Sequence, residues 1–163
     1  MMIGIVSNSF TAAGSSMVGQ NLGAKKYERI PLIMRTVIIC VTTISTALSL
    51  ALFFFSEPIF AMFTPDQSVL LNAHILIIPA ILNFYGSATR SMSFSLINGS
   101  GNTKLNFAVA IIDGMISRIG IAALLGFVLK MGCQGFWYGD ALAGFMPLVI
   151  GMCYFISGRW KNR

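Results

Sequence analysis

Four ionisable side chains, Arg90, Asp113, Arg118 and Asp140, fall inside long apolar runs of the chain. Each costs about 2.5–3.5 kcal/mol at a bilayer centre, so each must face protein or water. Charges in such places pair with one another, or handle a proton or cation on its way across. Ser7, Thr11 and Ser15 recur every four residues and form one helical stripe. That stripe suits the wall of a wet cavity, and equally suits close helix packing with hydrogen bonds between helices. Asn83 is a polar partner for a buried arginine, as are carbonyls freed by a proline kink. His74 lies beside Asn72 near one end of its run, where it can be an interfacial residue or a proton relay. Phe84, Tyr85 and Phe94 offer rings for an aromatic cation or for packing. No catalytic constellation and no Walker A sequence occur, and Cys40, Cys133 and Cys153 lack CxxC or CxxH spacing. An enzyme and an ATP-driven pump are therefore not expected.

The elements that must hold these residues are apolar. Of 163 residues, 56% are hydrophobic and only 10% charged, against roughly a quarter charged in soluble domains. A helix needs about 20 residues to span the hydrocarbon core. Runs at approximately 1–21, 31–56, 68–98, 105–130 and 135–157 meet that length. The first is interrupted by hydroxyls and has no basic stretch before it, so it does not read as a secretory signal. Pro31 suits the first turn of a helix, and Pro79 and Pro147 predict kinks within their runs. The net charge of +6 does not imply nucleic acid, because the positives lie between apolar runs and not on one basic face. Lys25, Lys26, Arg29, Arg35, Lys104, Arg159, Lys161 and Arg163 fall on alternate loops, against Lys130 on the other side. Basic short loops stay cytoplasmic, which predicts five spans with the N-terminus outside and the C-terminus in the cytoplasm. Trp137 and Trp160 at run ends read as interfacial anchors.

Depth sorts the four charges. Arg90 precedes Asn98 by eight residues and Asp113 follows Leu105 by eight, so both sit about 12 Å from the same ends of a helical hairpin. Equal depth predicts an Arg90–Asp113 ion pair. Arg118 lies near the midplane. It follows Asp113 by five residues, a turn of about 140° on an α-helix, so it needs a different partner. An unpaired arginine would repel a cationic substrate, which favours a structural role for it. Asp140, in the early turns of the last run, is expected to stabilise a helix end.

Two loop motifs go further. Ala12-Ala13-Gly14 is followed by Gly19-Gln20-Asn21-Leu22-Gly23-Ala24-Lys25-Lys26-Tyr27-Glu28-Arg29, and Asn98-Gly99-Ser100-Gly101-Asn102-Thr103-Lys104 closes the third run. With Arg118, Gly135-Phe136-Trp137-Tyr138-Gly139 and Ser157-Gly158-Arg159-Trp160, the set resembles the multidrug and toxic compound extrusion (MATE) transporters. The resemblance implies an all-α integral membrane protein. Its five transmembrane helices would correspond to most of one six-helix lobe of a twelve-span transporter, spans eight to twelve. It also implies antiport of Na⁺ or H⁺ against small organic cations or drugs by alternating access, with no cofactor beyond that coupling ion. Ser7, Thr11, Ser15, Asn83, Arg90, Asp113 and Arg118 become candidates for the substrate and ion pathway. Gly19, Gln20, Asn21, Gly23, Gly99, Gly101, Asn102 and Lys104 become structural motif residues, their glycines forming tight turns between helices. The partners implied are the lipid bilayer of the plasma or bacterial inner membrane and a missing N-terminal lobe, not nucleic acid. The family's coupling carboxylates on spans one and seven have no counterpart, and the span-ten region reads Tyr85-Gly86-Ser87-Ala88-Thr89 without an acid. The chain is expected to be inactive alone. A lipid-linked oligosaccharide flippase fragment and a non-transporting membrane interaction protein are the alternatives. The former asks for several basic residues in the cavity, where only Arg118 is central.

Overall fold

The computed structural model describes residues 2–61 and 67–162, and among them there is no strand. Helix α1 covers Met2–Gly23, α2 Arg29–Phe54, α3 Ser56–Ala61 and α4 Gln67–Gly99. Helix α5 covers Thr103–Val128, α6 Cys133–Ala143 and α7 Met146–Ile156, and a short 3₁₀ turn, Arg159–Asn162, follows. Among the described residues, α2, α5 and the α6–α7 stretch are long and apolar enough to cross a membrane. Large side chains such as Ile5, Phe54, Phe107, Phe127 and Ile156 stand exposed on the outside of the bundle. Water would not tolerate so broad an apolar surface, whereas lipid does. The protein is an all-α membrane protein.

Helix α4 is the central post, packed against α1, α2, α6 and α7. Lipid tails are as apolar as leucine, so helices here associate through close packing and hydrogen bonds. The sequence of α4 supplies both. Ser91, Ser93 and Ser95 are fully buried. The Ser91 hydroxyl donates to the Ser7 carbonyl of α1 at 3.1 Å, and the Ser7 hydroxyl donates to the Ser87 carbonyl at 3.1 Å. A Cβ on Gly14 would collide with the Ser95 side chain, and one on Gly99 would lie 2.6 Å from Val18 and 2.7 Å from the Ser15 carbonyl. On another face of α4, Gly151 of α7 rests against Ser93, and Gly86 lies against Gly144 at the α6–α7 break. Around this post the apolar core gathers Val18, Ile30, Val41, Leu96, Ile97 and Val109.

One end of the bundle collects the basic loops. Trp160 is 3% exposed, stacks on Phe155 and meets Tyr27 edge-on. Its indole N–H donates to the Phe155 carbonyl at 2.9 Å. Trp160 is therefore a core residue of that end and not an exposed interfacial anchor, because the chain turns back at Gly158 (φ +64°) and presses the ring inward. Tyr154 and Ser100 share a buried hydroxyl–hydroxyl bond of 3.0 Å that ties α7 to the α4–α5 turn. Tyr154→Phe is expected to lower stability by about 1 kcal/mol, measured by thermal unfolding in detergent followed by circular dichroism.

Four local expectations change. The last run does not hold Pro147 at a kink inside one helix. The chain breaks at Gly144–Phe145, and Pro147 stands in the first turn of α7, where its missing N–H costs nothing. In the α1–α2 turn the left-handed residue is Lys25 (φ 57°), and Gly23 has no positive φ. At the α4–α5 turn Gly101 (φ +66°) is left-handed, whereas Gly99 belongs to α4 and serves close approach. Finally, α5 is not uniformly α-helical: Ile112–Ser117 and Leu124–Val128 are π-helical.

Candidate functional site

The intramembrane charges meet where α4, α5 and α6 pack. The Arg90 Nη2 donates to Asp113 Oδ1 at 2.9 Å and lies 2.9 Å from Oδ2. Depth matching along two antiparallel helices explains the pair, since both residues sit at similar distances from the Gly101 turn. Asp113 is buried. The Arg90 Nε and the Ser117 hydroxyl are buried without a hydrogen-bond partner among the described residues.

Arg118 finds Asp140 of α6, which also accepts a 2.9 Å bond at Oδ2 from the Asn83 amide of α4. Asn83 thus reaches Arg118 only through the shared carboxylate. Asp140 does not stabilise a helix start: it lies seven residues after Cys133, the first residue of α6, in the last turn of that helix, and its charge is taken up between helices by Arg118 and Asn83. Asn83 and Arg90 are seven residues apart and share one face of α4. The five-residue separation of Asp113 and Arg118 would turn them about 140° apart on an α-helix. Here Ile112–Ser117 is π-helical, and a π turn bonds i to i+5, bringing the two residues toward one side. The π segment is what lets α5 serve both clusters. Periodicity taken at 3.6 residues per turn hides this, so Asp140 was the partner that spacing could not identify.

The hydroxyl stripe of α1 divides. Ser7 bonds across to α4, while Thr11 donates back to the Ser7 carbonyl at 2.9 Å and Ser15 to the Thr11 carbonyl at 2.6 Å. Ser7 and Thr11 also border a groove of about 410 Å³ with Arg90, Phe94, Asn106 and Asp113. A second cavity, about 490 Å³, opens between α1, α4 and α6, with Phe84, Trp137 and Asp140 in its wall. Tyr85 is turned elsewhere, its hydroxyl 3.1 Å from that of Thr46 on α2. The side chain of His74 lies outside the described residues.

The loop-motif residues stand apart from both clusters. Gly19 passes the Gly99 carbonyl, a Cβ there lying 3.3 Å away. Gln20 donates to the Ser16 hydroxyl at 3.3 Å and Asn21 to the Met17 carbonyl at 2.8 Å. Asn102 caps α5, its side-chain oxygen accepting from the Leu105 N–H at 3.1 Å. Lys104 is exposed in the first turn of α5.

Comparison with known proteins gives a consistent set. The MatE family model matches residues 1–131. The chain is 22% identical over 154 residues to the Probable multidrug resistance protein NorM of Thermotoga maritima, covering 94% of this chain and 33% of that protein. It is 23% identical over 157 residues to the Probable multidrug resistance protein YoeA of Bacillus subtilis, covering 95% and 33%. It is 23% identical over 152 residues to Multidrug and toxin extrusion protein 1 of Xenopus tropicalis, covering 92% and 26%. The chain thus spans a third or less of the length of these relatives. No solved structure matches it.

Proposed function

The chain belongs to the MatE family, and on that premise we propose that it is the C-terminal part of a secondary active multidrug efflux antiporter of the cell membrane. In this reading it exports organic cations or drugs by alternating access, driven by Na⁺ or H⁺, and needs an N-terminal lobe to do so. The observation that carries the reading is the pair of arginine–carboxylate contacts held inside the apolar α4, α5 and α6 helices. Such charges are costly in lipid and are retained where a pathway or a moving interface requires them. Because both internal arginines face carboxylates, they do not repel a cation, and they do not offer the free positive surface that an anionic lipid-linked substrate needs. The five long helical passes cross the bilayer, and the basic end with Lys25, Lys26, Lys104 and Arg159 faces the cytoplasm.

Expression in efflux-deficient cells tests this. The chain alone is expected to leave ethidium accumulation unchanged. Co-expressed with the first lobe of a MatE transporter, it is expected to lower accumulation several-fold. A protonophore abolishes that effect if H⁺ drives it, and removal of external Na⁺ abolishes it if Na⁺ does. Unchanged accumulation with the partner lobe present rejects the reading.

A further inference from the structure

We propose that the cavity between α1, α4 and α6 binds an aromatic organic monocation, which takes the Asp140 carboxylate from Arg118 as it enters. The assignment rests on the transporter reading and gives it a place on this chain. The cavity, about 490 Å³, is walled by Ile3, Pro79, Asn83, Phe84, Trp137 and Asp140. That volume is within the usual range for small-molecule sites, roughly 300–1,000 Å³. Its walls are apolar apart from one amide and one carboxylate. A carboxylate with two aromatic rings selects for positive charge spread over a flat apolar body. A neutral ligand would not recover the cost of parting an ion pair, and an anion would be repelled.

The two ion pairs differ in how readily they part. In the Arg90–Asp113 pair the carboxylate side chain is 7% exposed, and one guanidinium nitrogen holds both of its oxygens. The two arginine side chains are about equally exposed, 29% for Arg90 and 31% for Arg118, and the difference lies in the carboxylates, that of Asp140 being 45% exposed. Asp140 also divides its bonds: one oxygen faces Arg118 and the other accepts from Asn83. When Arg118 leaves, Asn83 still fixes the carboxylate. A long arginine side chain can swing its head toward water while its stem stays packed. The exchange replaces one cation with another, so the cavity gains no net charge and the desolvation cost of an unpaired carboxylate is never met. Arg118 then acts as the occupant of the site between transport events.

The test uses the whole 163-residue chain in lipid nanodiscs, with Trp160→Phe leaving Trp137 as the sole tryptophan. Ethidium is titrated, with tetraphenylphosphonium as cationic competitor and triphenylphosphine oxide as neutral control. Saturable quenching of Trp137, displaced by the phosphonium and not by the oxide, is expected. Asp140→Asn keeps the side-chain shape and is expected to weaken binding about tenfold or more. Arg118→Gln removes the internal competitor and is expected to tighten binding about tenfold, an effect that a merely structural arginine does not produce. Phe84→Leu, which removes one ring from the cavity wall and no charge, is expected to weaken binding about threefold. Equal affinity for Asp140→Asn and parent overturns the proposal. So does Arg118→Gln binding no more tightly than parent in a sample of unchanged helicity. Should Arg118→Gln not fold, unaltered affinity in Phe84→Leu overturns it. Efflux with a partner lobe in cells, combined with no ethidium binding here, removes this site and leaves the transporter reading standing.

Discussion

Replacing Asp113 with alanine is expected to destabilise the helical bundle by about 3–5 kcal/mol, the cost of leaving a buried charge without its partner. Asp113 is 5% exposed and is the acceptor for Arg90. Once it is gone, Arg90 keeps a full charge in an apolar helix, with its Nε already lacking a partner among the described residues. A guanidinium does not shed its proton inside a protein, so the charge stays where it is. Removing both charges together is a different matter. Arg90→Met with Asp113→Leu fills similar volume with apolar groups and is expected to recover most of the loss, because desolvation of both ions is no longer required. Unfolding in mixed micelles, followed by circular dichroism for parent, both single variants and the double variant, gives the coupling directly. Equal destabilisation of the single and the double variant would show that the pair does not hold α4 to α5.

That contrast between single and double loss rests on a contact the sequence alone already indicates. Arg90 and Asp113 stand at matched distances from one turn, and on antiparallel helices distance along the chain converts to depth at 1.5 Å per residue. The Arg118–Asp140 contact was not readable in the same way. It joins α5 to α6, and it depends on a π-helical segment, Ile112–Ser117, that no residue type announces. Family resemblance and apolar runs indicated the all-α membrane class, and the MatE match agrees with it. They could not say which glycines turn and which pack, because that depends on what lies opposite. Gly23 and Gly99 look alike in a loop motif, yet a Cβ meets nothing within 4 Å at Gly23 and strikes Val18 at Gly99. Trp160 lies next to basic residues, as an interfacial anchor does, and is buried because Tyr27 and Phe155 happen to flank it.

The same distinction makes Gly139→Val the second substitution with a large expected effect. In the run Gly135-Phe136-Trp137-Tyr138-Gly139, the two glycines are four residues apart and lie on one face of α6. That face meets the backbone of α5. A Cβ on Gly135 would sit 2.6 Å from the Gly126 nitrogen, and one on Gly139 would sit 2.6 Å from the Ala122 nitrogen while overlapping its Cα. A clash with a side chain can relax by a rotamer change, but a clash with backbone can relax only if the helices separate. Valine adds two further methyl groups at that point, so α5 and α6 must part along their packed length. Overpacking of this kind costs about 1–3 kcal/mol and more where no shift absorbs it. Arg118 and Asp140 bridge the same two helices, so separation also stretches their contact, and a loss of about 3 kcal/mol or more is expected. Gly139→Ala in an Ala122→Gly background should recover only part of its own loss, because the overlap involves the Cα and nitrogen of residue 122, which remain. Gly120→Ala is the control: nothing lies within 4 Å of a Cβ there, and alanine favours a helix interior by up to about 1 kcal/mol. If thermal unfolding in detergent places Gly139→Val beside Gly120→Ala, close backbone approach is not what joins α5 to α6.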